Sequence, residues 1–175
     1  MGARSCCCRV NRTEWSIYSS VERLAGTIDL VAQDSEGRLV LFDWKRTKQI
    51  ATKYHNPFRS MHEPLSHLDD CAGWHDRLQL NVYRYLLMKY YDFDVSAMYV
   101  VCTHPDNGET AFVDEVPVLE QEVNVLMNKQ RQFVAGDTTA CRNDMAHMND
   151  RGSSTVAATH LVPMDIRVPV ETSLT

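Results

Sequence analysis

The stretch that decides the fold of this chain is LAGTIDLVAQDSEGRLVLFDWKRTK, residues 24–48. Its apolar residues predict two half-buried strands, joined by turn residues at 35–37. The first strand carries Asp29 within an apolar run, and the second ends with Asp43, Trp44 and Lys45. A carboxylate in an apolar strand loses hydration, which costs several kcal/mol unless a partner compensates. Two such carboxylates beside a lysine indicate that the partner is a cation.

The composition is that of a globular protein, with 44% hydrophobic and 23% charged residues in a chain of 175. This length predicts one domain with a core of its own. The formal charge of -5 argues against nucleic-acid binding by global attraction. A local basic groove is still compatible with that charge, because interactions between exposed charges are screened beyond about 10 Å.

The cysteines and the hydropathy pattern indicate the compartment. Six cysteines occur without a CxxC pair and without a signal peptide ahead of them, so we expect reduced thiols in an intracellular protein. An iron-sulfur cluster needs four thiolates in a definite arrangement, which this spacing does not provide. No apolar run approaches the roughly 20 residues that span a bilayer, so we expect no membrane association.

The first half of the chain predicts three strands, a loop and a helix. A strand at 14–20 (EWSIYSS) precedes the two quoted strands, and three consecutive strands form a meander by default. From 46 to 75 the polar residues, interrupted by prolines and Gly73, predict a long surface excursion with short helical pieces. The most regular helix is predicted at 75–91, where apolar residues recur at helical spacing: Leu78, Val82, Tyr85 and Leu86.

The second half predicts two strands and a second helix. A buried strand at 94–104 and a further strand at 110–118 flank a turn. A helix at 119–134 then places five apolar residues near one face: Leu119, Val123, Leu126, Met127 and Phe133. We therefore expect an α/β (α+β) domain over residues 12–135, with a mixed central β-sheet flanked by helices. Residues 1–11 are expected to form an unstructured tail and 136–175 a loose tail, in which 160–170 could add an edge segment.

Asp29 and Asp43 lie on adjacent predicted strands, so their side chains can converge at one end of the sheet. With the Trp44 carbonyl they would supply hard oxygen ligands of the kind that hold magnesium together with water. Lys45 shares a face with Asp43, because side chains alternate along a strand. A metal ion and a nearby cation are what phosphodiester hydrolysis requires. The alternative is an ion pair of Asp43 with Lys45 at a strand end, and an Asp29 capped by backbone amides.

Gln79 and Tyr83 lie one turn apart on a helix face that differs from the inward apolar stripe. An amide and a phenol that point together can fix a lysine, a water or a phosphate. Ordinary polar packing is the alternative for this pair.

Together, GTID at 26–29, DWK at 43–45 and QLNVY at 79–83 resemble the RecB-like branch of the PD-(D/E)XK nuclease superfamily. In that group a GxxD strand, a DxK strand and a QxxxY helix follow in this order, and the resemblance covers about residues 15–133. It implies a restriction-endonuclease-like core and a Mg²⁺ or Mn²⁺ site at Asp29, Asp43 and the Trp44 carbonyl. It also implies that Lys45 is the catalytic lysine and that Gln79 and Tyr83 are positioning residues of the catalytic site.

The chain also departs from this pattern. Such nucleases usually begin with a helix that supplies a His or Glu, and only a few residues precede Trp15, so we expect that first helix to be missing. The role of that His or Glu is assigned neither to Glu14 nor to Glu22. No Walker motif occurs, so a helicase or a replication or repair partner would be another domain or chain.

The loop after the lysine is basic and aromatic. Cationic residues can follow a phosphate backbone while aromatic residues stack on unpaired bases, which predicts DNA with single-stranded character as the substrate. The residues in question are Arg46, Lys48, Lys53, Tyr54 and Arg59. A solvated loop is the alternative, and RNA stays open as a substrate. The rival functions are a non-catalytic nucleic-acid-binding module and an unrelated α+β interaction domain.

Overall fold

A computed structural model describes residues 9–47, 55–107, 110–148 and 162–163. Its first three strands, β1 (Arg9–Ser19), β2 (Leu24–Gln33) and β3 (Leu39–Lys45), form the predicted antiparallel meander. The turn between β2 and β3 forms because Gly37 adopts a φ of 81°, which favours glycine. One carboxylate oxygen of Asp34 accepts hydrogen bonds from the N–H groups of Glu36 and Arg38, and this closes the turn.

The sheet continues beyond the meander with strands from the second half of the chain. Strand β4 (Val95–Cys102) pairs in parallel with β3, and β5 (Phe112–Glu115) pairs antiparallel with β4. The order is β1-β2-β3-β4-β5, and β6 (Val162–Pro163) pairs in parallel with the start of β2. A short 3-10 helix, Pro105–Asn107, lies at the turn predicted between β4 and β5. The mixed sheet predicted from the sequence is confirmed.

Two helices are found in the part of the chain that the structure describes. Helix α1 (Ala72–Tyr90) contacts β1 and β4, and α2 (Glu120–Met148) contacts α1. Helix α1 begins before the predicted start at 75, so Gly73 lies in its first turn rather than in a loop. Its apolar stripe is buried as predicted, with Leu78, Val82 and Leu86 almost without solvent exposure.

One prediction for α2 was wrong. Val123 and Met127 are buried against the core, but Phe133 is 72% exposed. Leu126, seven residues before Phe133 and only about 20° from it around a helix of 3.6 residues per turn, packs against the core. Direction around the helix is therefore not what exposes Phe133. It lies beyond Met127, the last residue of α2 that the structure describes as buried.

The excursion between β3 and α1 was predicted to lie on the surface, and this is only partly correct. Met61, Leu65 and Leu68 are buried and form a second apolar cluster with Leu78 of α1 and Leu119. Met61 also donates its N–H to the carbonyl of Leu68. The main cluster lies between the sheet and the helices, so the excursion has a smaller core of its own. The apolar side chains of a mainly polar loop are what anchor it.

The ends of the elements differ from the predicted domain limits. Strand β1 begins at Arg9, before the expected limit at 12, and α2 runs to Met148, past the expected limit at 135. Backbone hydrogen bonds within a helix do not need an apolar stripe, so the loss of periodicity after Gly136 did not mark the helix end. Within the described ranges, no helix is both long and apolar enough to cross a membrane.

Candidate active site

The two aspartates lie where strands β2 and β3 stop pairing. The ladder between these strands ends with Leu30 opposite Phe42, so Asp29 and Asp43 are the next residues on each side. Beyond that point a side chain replaces a backbone acceptor, because Oδ2 of Asp29 accepts the N–H of Trp44 at 2.8 Å. Asp29 and Asp43 thus lie together at the end of the strand pair, where the charge of Asp29 acts on Asp43.

Strand β4 holds the other side of this segment. Asp43 is in register with Val100 and Lys45 with Cys102, along the parallel ladder. The carbonyl of Lys45 accepts the N–H of Thr103 at 3.0 Å. The backbone that carries the aspartate and the lysine is therefore bonded to the β4 backbone, while on its β2 side the Asp29 side chain takes the place of a backbone partner.

The ammonium group of Lys45 lies between residues of β3 and α1. Its Nζ is 2.9 Å from Oδ2 of Asp43, 3.2 Å from Oδ1 of Asp76 and 3.5 Å from Oε1 of Gln79. The Gln79 amide donates to the Tyr83 hydroxyl at 2.8 Å, and Tyr83 is only 2% exposed. The structure therefore places Asp43, Lys45, Gln79 and Tyr83 in one connected network, as the sequence predicts.

Asp76 is the residue of this network that the sequence analysis missed. It lies on α1 three residues before Gln79 and seven before Tyr83, a spacing that places all three on one face of the helix. That spacing was the signal that could have found it. Because Asp76 approaches Lys45 from α1, the lysine is held by carboxylates from two different elements.

Burial and charge shift the titration of three of these groups. Burial raises the pKa of Asp43, the Lys45 ammonium lowers it, and the charges of Asp29 and Asp76 raise it further, so the net pKa is above its ordinary value. Burial lowers the pKa of Lys45, but Asp43 and Asp76 outweigh burial and raise that pKa. Burial also raises the pKa of Tyr83, which keeps its phenol protonated. The site is thus a partly desolvated cluster with one ammonium among several carboxylates.

The oxygen atoms of this cluster fit a hard divalent cation. Oδ2 of Asp43 is buried and makes no hydrogen bond of sound geometry, although the Lys45 ammonium lies beside it as an ion-pair partner. Among the described residues, no three His, Cys, Asp or Glu side chains are grouped so as to hold a metal. The oxygens predicted as ligands, from two carboxylates and the Trp44 carbonyl, are compatible with the way Mg²⁺ is commonly held, by one or two carboxylates with water completing its shell.

The contacts expected if these residues merely stabilise the strand end are present as well. Asp43 pairs with Lys45, and Asp29 accepts a backbone amide, as expected for a structural strand end. The Trp44 amide occupies one of the two oxygens of Asp29, and the Lys45 ammonium lies against Oδ2 of Asp43. What separates this cluster from a surface ion pair is the burial of Asp43, which is 5% exposed, and the added contacts from α1.

The basic loop is described only in part. Arg46 and Arg59 are exposed, and Phe58 is 91% exposed beside Arg59. The other predicted nucleic-acid contacts, Lys48, Lys53 and Tyr54, lie outside the described residues. The sequence analysis missed an aromatic patch on the face of β3 opposite Asp43 and Lys45. In this patch Phe42 stacks on Tyr99 with ring centroids 5.4 Å apart and lies 6.0 Å from the half-exposed Trp44.

Glu22 makes a separate set of contacts, away from this cluster. Its buried carboxylate accepts hydrogen bonds from Ser19, Tyr85 and Tyr90, and it pairs with Arg131 of α2 at 2.7 Å. These contacts tie the β1–β2 connection to both helices. Glu14, in contrast, is exposed with a φ of 47°.

The sheet, its two helices and this cluster correspond to a known class of hydrolases. The family model of the PD-(D/E)XK nuclease superfamily matches residues 8–153. The chain therefore belongs to the PD-(D/E)XK nuclease superfamily, and its mixed sheet and helices form the restriction-endonuclease-like α/β fold expected of it. Members of this superfamily are generally nucleases and typically use divalent metal ions. A comparison with curated proteins gave no match.

Proposed function

We propose that this protein is a RecB-like nuclease that hydrolyses the phosphodiester bonds of DNA with Mg²⁺ or Mn²⁺. The observation that supports this proposal best is the network in which Lys45 contacts Asp43 of β3 and Gln79 of α1 at the open end of the strands. A surface ion pair would not need a helix to bring an amide oxygen and a second carboxylate to the same ammonium.

In the proposed mechanism, Asp29, Asp43 and the Trp44 carbonyl hold the metal ion. When bound, the ion would lower the pKa of a water molecule and polarise the phosphoryl group. Lys45 places its positive charge where negative charge develops on the phosphoryl oxygens. Gln79 orients the lysine through its carbonyl oxygen, and Tyr83 fixes the Gln79 amide from the other side. The Asp29 hydrogen bond to Trp44 sets the spacing of the two strands that carry the ligands.

The proposed substrate is DNA with single-stranded character. Arg46 directly follows the catalytic segment, and Arg59 and the exposed Phe58 lie on the same loop. Lys48, Lys53 and Tyr54 belong to the same proposed surface. Basic and aromatic residues in alternation suit a strand whose phosphates and bases are both accessible. A helicase or another replication or repair protein is a proposed partner inside the cell.

A cleavage assay with a matched pair of variants tests this function. The parent protein is expected to cut a labelled single-stranded oligonucleotide with Mg²⁺ and to stop in EDTA. Asp43→Asn should abolish cleavage, because the amide keeps the side-chain shape but loses the charge that binds the ion. Asp92→Asn is the control, since Asp92 is exposed after α1 and its φ of 57° suits asparagine.

Two results would contradict the proposal. Equal cleavage by the parent and Asp43→Asn would remove this cluster from the reaction. Binding of the oligonucleotide without any turnover in Mg²⁺ or Mn²⁺ would identify the chain as a nucleic-acid-binding module that retains the nuclease fold.

A further inference from the structure

The buried oxygen of Asp43 has two roles that compete. Oδ2 of Asp43 is the oxygen without a hydrogen bond, and the Lys45 ammonium lies 2.9 Å from it. A magnesium ligand lies about 2.1 Å from the ion, so an ammonium on the same oxygen would face a divalent cation at very short range. Two positive charges about 4 Å apart repel each other, and more strongly at a surface-like dielectric than in water. Lys45 therefore has to move away from this oxygen when a cation binds there.

A lysine that leaves Asp43 can easily leave the site as well. Its side chain is 29% exposed, so solvent can reach it. Its stem is flexible, and its ammonium is strongly hydrated. The Gln79 oxygen is neutral, and at 3.5 Å it lies at the limit of hydrogen bonding. A second anion is needed to keep the ammonium beside the reacting groups.

We propose that Asp76 is a positioning residue that retains Lys45 in the active site when Asp43 binds the cation. The contact is already formed, since Oδ1 of Asp76 lies 3.2 Å from Nζ of Lys45. The carboxylate is carried by α1, on the helix face that also presents Gln79 and Tyr83. Asp76 is therefore placed independently of the strand that binds the cation. This inference rests on the proposed function, because it assumes a cation at Asp43.

Turnover gives the first readout. Asp76→Asn should lower kcat about 10- to 100-fold, the usual effect of losing a residue that orients an active-site group. The KM for the oligonucleotide should change little, because Asp76 carries no positive charge for phosphate. Asp76→Glu restores a carboxylate and should recover part of the rate. Asp92→Asn should match the parent.

A double-mutant cycle gives a readout that does not depend on activity. The parent, Asp76→Asn, Lys45→Met and the double variant are unfolded in urea, in EDTA and again in excess Mg²⁺. The shifts of the two single variants should fail to add in EDTA, because the residues are in contact. This non-additivity should grow in Mg²⁺, when Asp76 becomes the main partner of the ammonium. The pair Lys45→Met with Asp92→Asn should be additive in both conditions.

The outcomes separate this inference from the proposed function. Additive shifts in both conditions, or equal non-additivity with and without Mg²⁺ in a protein that cleaves DNA, would overturn the role of Asp76. A parent that neither cleaves DNA nor gains stability from Mg²⁺ would overturn the proposed function, and the retention role with it. In that case non-additivity in EDTA would show only that the contact between Asp76 and Lys45 exists without a bound cation.

Discussion

The carboxylate of Asp29 accepts the backbone N–H of Trp44 at 2.8 Å, immediately beyond the last backbone pair of strands β2 and β3. One side chain thus has two possible tasks, since it joins the strands and is also a proposed metal ligand. The two tasks depend on different properties of the residue. Joining the strands needs an acceptor oxygen, whereas binding a cation needs the negative charge.

Substitutions at Asp29 should separate these tasks. Asp29→Asn keeps an acceptor oxygen, so it should retain most of the stability while losing metal-dependent cleavage. Asp29→Ala removes the acceptor of the exposed Trp44 N–H and should also lower the free energy of unfolding by about 0.5 to 1.5 kcal/mol. Urea denaturation and the cleavage assay on both variants check this. Equal stability of the two variants would show that the hydrogen bond contributes nothing.

Lys45→Met should lose turnover while metal binding survives or tightens. Methionine keeps most of the side-chain length but has no charge to meet the developing negative charge. Removal of a cation about 4 Å away also reduces repulsion of the metal by about 1 to 4 kcal/mol. Calorimetric titration with Mg²⁺ and a cleavage assay on the same sample measure both effects. Cleavage at the parent rate would disprove a catalytic role for the lysine.

The basic loop should determine the salt dependence of DNA binding. Replacement of Lys48, Lys53 and Arg59 by alanine should flatten the slope of log K against log salt by about 0.7 for each phosphate of a single strand that is no longer neutralised. Arg38→Ala is the control, because Arg38 pairs with Asp34 in the turn at the other end of β3. Binding of a labelled oligonucleotide at several salt concentrations gives the slopes. An unchanged slope in the triple variant would show that the loop is merely solvated.

The stability of the protein in acid should depend on Glu22. Burial raises the pKa of Glu22, but hydrogen bonds from Ser19, Tyr90, Arg131 and Tyr85 outweigh burial and leave it below its ordinary value of 4.5. A lowered pKa in the folded protein means that the unfolded chain binds the proton more readily. The stabilisation by Glu22 is therefore complete above pH 4.5 and is lost as the pH falls through the pKa of the folded state.

Glu22→Gln is the variant that tests this acid dependence. It should flatten the fall in unfolding free energy below pH 4.5, relative to the parent. Denaturation in EDTA across this range measures the effect without interference from metal binding. Parallel curves for the two proteins would show that Glu22 has the same pKa in the folded and unfolded states.

The hairpin and the pairs Asp43–Lys45 and Gln79–Tyr83 could be predicted because their signals are local. Alternation along β3 places Asp43 and Lys45 on one face, and helical spacing places Gln79 beside Tyr83. The turn at Gly37 is likewise determined by residues close in the chain. In each case the geometry of a single element settles which side chains meet.

Other features depend on how elements are placed against each other. Asp76 has no apolar signal of its own, and its contact with Lys45 exists only because α1 lies across the end of β3. Periodicity showed that α2 is amphipathic but did not show where its packed stripe ends. Phe133 was therefore counted with the packed residues although it is exposed. Met61 and Leu68 were isolated apolar residues in a polar stretch, and only the folded loop brings them together.

The parallel pairing of β3 with β4 has a consequence for how the protein acquires activity during folding. The two proposed metal ligands belong to a hairpin whose short turn closes at little entropic cost. The lysine is oriented only after the long crossover through α1 has brought β4 into register with β3. Contacts between distant segments form slowly, because the chain must lose much of its freedom before they are made. The proposed affinity for metal would thus be encoded locally, whereas the proposed turnover would need the completed topology.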